Sequence, residues 1–161
     1  MKLIIGNIWN SPDTVILIAG NSTLTKDNRL VMGKGSAFEL NKKSSIFAYY
    51  FGETIKNTCG NYGLYGIMLY PIHSDMVKKI TKYFGVFQTK TDWRKKSDLS
   101  VIQYSTNILL DYIKNFPTET ISMVYPGIGY GGLSEKDILP IISVLPNNVV
   151  VYKKGKFNVS N

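Results

Sequence analysis

The chain has 161 residues, is 44% hydrophobic and carries a formal net charge of +8, enough apolar material for one domain with its own core and with no Pro/Ser-rich linker to divide it. No apolar run approaches the roughly 18 residues of a membrane span and no basic-plus-apolar signal segment leads the chain, so the reading is a monomeric, cytoplasmic protein with no membrane partner. One cysteine, Cys59, excludes an internal disulfide, and one histidine beside it excludes a Cys/His zinc site.

Lys2 to Ile8 opens with three aliphatic residues and closes on Gly6-Asn7, predicting a first strand that runs into a polar turn. After the loop Asn10 to Asp13, the run Thr14 to Ala19 is continuously apolar and β-branched, the pattern of a strand covered on both faces. A long polar loop, Gly20 to Ala37, follows it and ends at a helix start. Backbone N–H groups of such a loop and of a helix N-terminus suit an anionic or polar ligand. Ser36 to about Ile55 is helical by pattern, with Phe38, Phe47, Phe51 and Ile55 as its apolar stripe and a break within Asn41 to Ser45.

Turns at Gly60, Gly63 and Gly66 lead to a strand over Tyr65 to Tyr70, ending at Pro71, and Lys82 to Gln88 forms another. The polar segment Thr89 to Arg94 precedes a helix capped by Ser97 or Asp98, with Leu99, Ile102, Thr106, Leu109, Ile113 and Phe116 on one face and its end before Pro117. Ile121 to Tyr125 is the next strand. The loop Pro126 to Leu133 follows, Ser134-Glu135-Lys136-Asp137 opens a helix through about Val144 as a capping-box variant, and Asn148 to Tyr152 closes the sheet. Strands alternating with helices predict a three-layer α/β fold with a mixed, largely parallel sheet. Ligands of such sheets bind beyond the carboxyl ends of the strands, where both glycine loops fall.

The positive charge favours phosphate-bearing partners. Its clusters, Lys42-Lys43, Lys78-Lys79, Arg94-Lys95-Lys96 and Lys153-Lys154, read as solvated surface. Gly127, Gly129 and Gly132 match the Gly-x-Gly-x-x-Gly dinucleotide pattern, but only 29 residues follow Gly132 and no acid ends the next strand to hold a ribose hydroxyl. A P-loop fails too, since Gly33-Lys34 is followed by Gly35 rather than Ser or Thr.

Four stretches in order make the chain resemble a macro domain, the ADP-ribose-binding α/β/α module: Gly6-Asn7-Ile8, Ile16 to Asn21, Leu30 to Ala37 and Tyr125 to Leu133. The first is similar to the family's Gly-Asp-Ile turn, whose acid contacts the adenine amine. The second is similar to a strand ending in Asn-Ala-Ala-Asn, of which only Asn21 is kept, with Ile18 at the first Asn. The last two are similar to the loops around the distal ribose and pyrophosphate. The resemblance implies a single macro-like domain over 1–161, three-layer α/β/α, with ADP-ribose or a related nucleotide as ligand. It implies ligand contacts at Asn7, Ile8, Gly20, Asn21, Met32, Gly33, Lys34, Gly35, Ser36, Pro126, Gly127, Ile128, Gly129, Tyr130, Gly131 and Gly132. The ring of Tyr130 would cover the phosphates or distal ribose, or pack on a neighbour. The polar insertion Thr23 to Arg29 would lie at the distal ribose. No cofactor and no metal are expected.

Phe87-Gln88-Thr89-Lys90, followed by Trp93-Arg94, is similar to a Thr-Lys segment of the macro subgroup that removes ADP-ribose from acidic side chains or nucleic-acid bases. There the lysine attacks the anomeric carbon, which requires a neutral, desolvated amine or a neighbouring base. Lys90 is therefore the candidate catalytic residue, a cationic phosphate contact or a surface lysine. The subgroup's Gly-Leu-Asp pattern is absent, because Ser134 follows Leu133. His73, with Asp75 nearby, is the other conventional acid/base candidate. Three functions remain open: a hydrolase of ADP-ribosylated protein or nucleic acid or of ADP-ribose phosphate, a non-catalytic ADP-ribose-binding module, and a nucleic-acid-binding domain.

Overall fold

A computed structural model describes residues 1–72 and 81–155. His73, Asp75 and the Lys78-Lys79 cluster lie outside the described residues.

The strands are β1 (Lys2–Ile5), β2 (Val15–Gly20), β3 (Ile67–Pro71), β4 (Tyr83–Gln88), β5 (Ile121–Val124) and β6 (Val149–Lys153); the helices are α1 (Gly35–Lys43), α2 (Ile46–Thr58), α3 (Leu99–Asn115) and α4 (Glu135–Ile142). Among the described residues they build one six-stranded sheet in the order β1-β6-β5-β2-β4-β3. Each neighbouring pair is parallel except β3 and β4, which are antiparallel. The sheet is mixed and largely parallel, with helices on both faces.

Alternation along the central strand divides the core. Ile16 and Ile18 of β2 face a cluster completed by Leu40, Phe47, Phe51 and Ile55 from α1 and α2. Val15 and Leu17 face the opposite cluster, with Ile102 and Leu109 of α3 and Ile138 and Ile142 of α4. Phe47, Phe51 and Ile55 are fully buried, each contributing about 1.5–3 kcal/mol by its removal from water.

The break between α1 and α2 falls at Ser44, whose extended backbone ends one helix while its hydroxyl accepts from the Ile46 N–H at 3.3 Å. The predicted stripe needs correction at Phe38, which is 46% exposed; Ala37 and Leu40 face the core in its place. Asp98 caps α3 by accepting from the Ser100 N–H at 2.8 Å, and Asn115 ends that helix before Pro117. Leu99 and Phe116 lie outside the buried face. α4 stops at Ile142, short of the expected Val144, which is exposed. No helix among the described residues is long and apolar enough to cross a membrane. Cys59 is half-buried at the end of α2.

Candidate functional site

Because β1, β6, β5, β2 and β4 run parallel, their carboxyl ends open on one side of the sheet. A cleft of about 830 Å³ lies across them, lined from Gly6 after β1, through Tyr152, Val124 and Gly20, to Thr89 and Lys90 after β4. At a strand spacing of about 4.8 Å, five strands give it a length of roughly 19 Å.

The cleft gathers Ile8, Gly20, Asn21, Gly33, Lys34, Gly35, Ser36, Gly127, Ile128, Gly129, Tyr130, Gly131 and Lys90. Asn7, Met32, Pro126 and Gly132 are not among its lining residues. The Asn7 carboxamide oxygen accepts from the Trp9 N–H at 3.0 Å, capping the short 3-10 helix Ile8–Asn10. Met32 is buried in the core beneath its loop, Pro126 is buried, and Gly132 turns toward the stem of Lys96 with φ +73°.

The first loop leaves β2 through Asn21, whose side chain accepts from the Thr23 N–H at 2.8 Å and donates to the Val31 carbonyl at 2.9 Å. That closes the neck of a hairpin in which Leu24 pairs with Leu30. The hairpin packs on α2: the Leu30 N–H donates to the Ala48 carbonyl at 2.9 Å, and a Cβ on Gly52 would stand 2.0 Å from the Asn28 carbonyl oxygen. This corrects the expectation for Thr23 to Arg29. The insertion does not line the cleft, because Leu30 is drawn into the core and pulls the hairpin over α2. Val31 brings the chain back, and Ser36 Oγ accepts from the Ala19 N–H at 3.2 Å, tying the start of α1 to the end of β2. No side chain caps the N-terminus of α1, so its first-turn N–H groups remain suited to an acceptor from the cleft.

The second loop turns as a 3-10 helix over Gly129–Gly131, closed by the Leu133 N–H donating to the Gly127 carbonyl at 2.9 Å. A Cβ on Gly131 would come within 2.6 Å of Ser97 Oγ, so glycine lets this loop lie against the segment before α3 without displacing that hydroxyl. Tyr130 is 74% exposed and reaches back to the first loop: the Lys34 ammonium lies 5.6 Å from its ring centroid. Its ring also flanks Gly35, whose φ of +58° favours glycine. The two loops thus meet over the cleft.

The Lys90 segment is fixed from below. Gln88 is fully buried; its carbonyl oxygen accepts from the N–H groups of Tyr65 and Gly66, and its amide donates to the carbonyls of Gly63 and Lys90. The Thr89 N–H donates to the Gly20 carbonyl at 2.9 Å. The Lys90 ammonium donates to the Lys95 carbonyl at 2.8 Å. Partial burial and the charge of Lys34 lower its pKa below the ordinary lysine value, against the opposing pull of Asp92. Asp92 is itself held by Arg94, which grips both carboxylate oxygens at 3.0 and 2.8 Å and keeps its pKa down at about 2. It therefore stays a carboxylate at neutral pH and is no proton donor.

The basic run Arg94-Lys95-Lys96, read from sequence as solvated surface, lines this end of the cleft with Trp93. Its place directly after the Thr-Lys segment was the available signal. Lys154 lines the other end together with Glu39, which nothing in the sequence pattern singled out. Beyond the second loop, Ser134 caps α4, its hydroxyl 2.7 Å from an Asp137 carboxylate oxygen, while Glu135 pairs with Lys153. Both acids are thereby engaged outside the Lys90 region. Among the described residues, no group of His, Cys, Asp and Glu could hold a metal ion.

No family model matches the sequence, and no curated protein is similar to it at a significant level. Its structure is similar to solved macrodomains. The macrodomain of Mycobacterium tuberculosis DarG superposes with a TM-score of 0.75 at 19% identity, over 96% of this chain and 97% of that one. Thermosipho africanus DarTG in complex with ADP-ribose gives 0.74 at 19% identity, over 93% of this chain; the match spans 40% of that longer chain. A Trypanosoma brucei macrodomain in complex with ADP gives 0.64 at 10% identity, over 96% of this chain and 63% of that one. The chain has the macrodomain fold.

Proposed function

We propose that the cleft binds ADP-ribose or a related NAD-derived nucleotide and that the protein hydrolyses an ADP-ribose derivative, with Lys90 as nucleophile. The derivative is an ADP-ribosylated protein or nucleic acid, or ADP-ribose 1''-phosphate. The observation that carries this reading is the position of Lys90, a half-buried amine of lowered pKa at the β4 end of a cleft whose middle is walled by two glycine loops. Glycines allow a diphosphate to approach backbone N–H donors closely, and the α1 N-terminus favours its charge. The solved DarTG and Trypanosoma structures, which hold ADP-ribose and ADP, support the ligand class.

In the proposed reaction the neutral Lys90 amine forms a bond to the anomeric carbon of the distal ribose as the bond from that carbon to the target breaks. The electron pair leaves with the target, which takes up the proton shed by the amine. Water then cleaves the carbon–nitrogen bond, releasing ADP-ribose and restoring the lysine.

A second reading, binding without turnover, is favoured by one observation: Lys90 donates to the Lys95 carbonyl, and among the described residues the carboxylate acting on it is Asp92, already gripped by Arg94. Calorimetry with ADP-ribose tests the shared part, and absence of binding at millimolar ligand overturns both readings. Incubation with ADP-ribosylated protein and ADP-ribosylated DNA, measuring released ADP-ribose, separates them. A salt titration tests nucleic-acid binding by the basic rim, because coverage of many backbone phosphates weakens steeply with salt while one diphosphate in a cleft does not.

A further inference from the structure

Glu39 is a cleft-lining carboxylate that the Lys90 chemistry does not use. It projects from α1 at the end of the cleft opposite Lys90, beside Gly6, Ile8 and Tyr152. One of its oxygens accepts from the Trp9 indole N–H at 3.1 Å, and the other meets the Lys154 ammonium. Burial pushes its carboxyl up, but Lys154, Trp9 and the charge of Lys42 outweigh this, so it is ionised at neutral pH. Two oxygens offer about four lone-pair sites, and these bonds leave acceptor capacity for a ligand.

The chemistry of this end differs from that of the rest of the cleft. Ile8, Val124 and Tyr152 supply apolar surface for a flat ring, and the carboxylate and ammonium place an acceptor and a donor side by side. An adenine edge presents the complementary pair, an exocyclic amine and a ring nitrogen. By strand spacing this end lies roughly 19 Å across the sheet from β4, so it is the part of the cleft farthest from Lys90. Asn7, the nearest alternative, has its carboxamide oxygen turned onto the Trp9 backbone and does not line the cleft.

Resting on the ADP-ribose reading above, we propose that Glu39, paired with Lys154, is the residue that selects the base, accepting a hydrogen bond from the adenine amine in place of Asn7. A site built to accept from that amine penalises an analogue lacking it. The test is calorimetry with ADP-ribose and with its analogue carrying unsubstituted purine, on the unaltered protein, E39Q, E39A and N7A. The unaltered protein and N7A are expected to prefer ADP-ribose by about tenfold, E39Q less, and E39A not at all. Because the readout is a ratio of two ligands on one protein, a variant that folds less well keeps its meaning. Preference retained in E39A, or erased by N7A, overturns the assignment. Equal binding of both nucleotides by the unaltered protein overturns the assignment alone; binding of neither overturns the ADP-ribose reading with it.

Discussion

Gln88 donates from Nε2 to the backbone carbonyl of Lys90 at 3.3 Å, so a fully buried amide two residues upstream holds the segment that presents the candidate nucleophile. The same side chain satisfies the Tyr65 and Gly66 N–H groups at 2.8 and 3.2 Å. Gln88→Ala leaves those donors unpaired and opens a cavity, a loss of about 2–5 kcal/mol. Denaturant unfolding should show the drop, and the surviving folded protein should show lower turnover per bound ligand, because the Lys90 backbone loses its anchor.

Lys90→Arg keeps a cation in the cleft and removes any neutral amine, since a guanidinium stays charged. Release of ADP-ribose from a modified target should fall by roughly 10²-fold or more, while calorimetric affinity for ADP-ribose stays within a few-fold. Turnover unchanged in Lys90→Arg would remove the nucleophile role. Affinity and turnover falling together in Lys90→Ala but not in Lys90→Arg would make Lys90 a phosphate contact.

The proposed attack requires the free base, so kcat should climb as pH rises toward the pKa of Lys90, which lies below the ordinary lysine value of 10.5. Burial lowers it first, and Lys34 adds to that by opposing a second positive charge. Lys34→Met relieves that repulsion, raises the Lys90 pKa and moves the rising limb of the kcat profile to higher pH. A profile that stays put or moves to lower pH would contradict the coupling.

Asp92 adds a stability signature at acid pH. Its pKa of about 2 lies below the ordinary aspartate value of 3.8 because Arg94 donates to it through side chain and backbone. The sign follows: the contribution is complete above about pH 4 and is lost as pH falls through about 2. Asp92→Asn should flatten that part of the stability curve, read as thermal midpoint against pH.

The hairpin over α2 predicts a separation of stability from binding. Gly52→Ala places a methyl 2.0 Å from the Asn28 carbonyl and 2.7 Å from the Arg29 Cα, so the backbone must move, at a cost of about 1–3 kcal/mol or more. Lys26→Ala and Asp27→Ala, on the same hairpin, should leave ADP-ribose affinity within twofold, because this segment does not line the cleft.

Legibility in the sequence followed the range of the interactions. The strand Val15–Gly20 could be read because burial on both faces removes polar residues from the run itself, and the helix opening at Asp98 because its cap is local. Phe38 was misplaced because Asn41 to Ser45 interrupts the periodicity, and Ser44 resets the helical phase between α1 and α2. Thr23 to Arg29 was misplaced because its polar composition gives no sign that Leu30 and Gly52 draw it onto α2. Glu39 was invisible for a stronger reason: its partner Lys154 is 115 positions away, and only the return of β6 beside β1 brings them together.

That return also sets the order in which the molecule can be completed. Among the described strands β1 pairs with β6 alone, Lys2 opposite Val150 and Ile5 opposite Lys153, so the earliest made of the six waits for the latest. Until β6 emerges, Leu3, Ile4 and Ile5 have no neighbouring strand, and so distant a pairing is slow to close. The Lys90 end of the cleft can assemble from β2, β4 and β5 while the chain is still being made. The end that holds Glu39 and Lys154 is finished only after β6, the latest made of the six described strands, so a chain released before β6 would carry the Lys90 end of the cleft without the partner of Glu39.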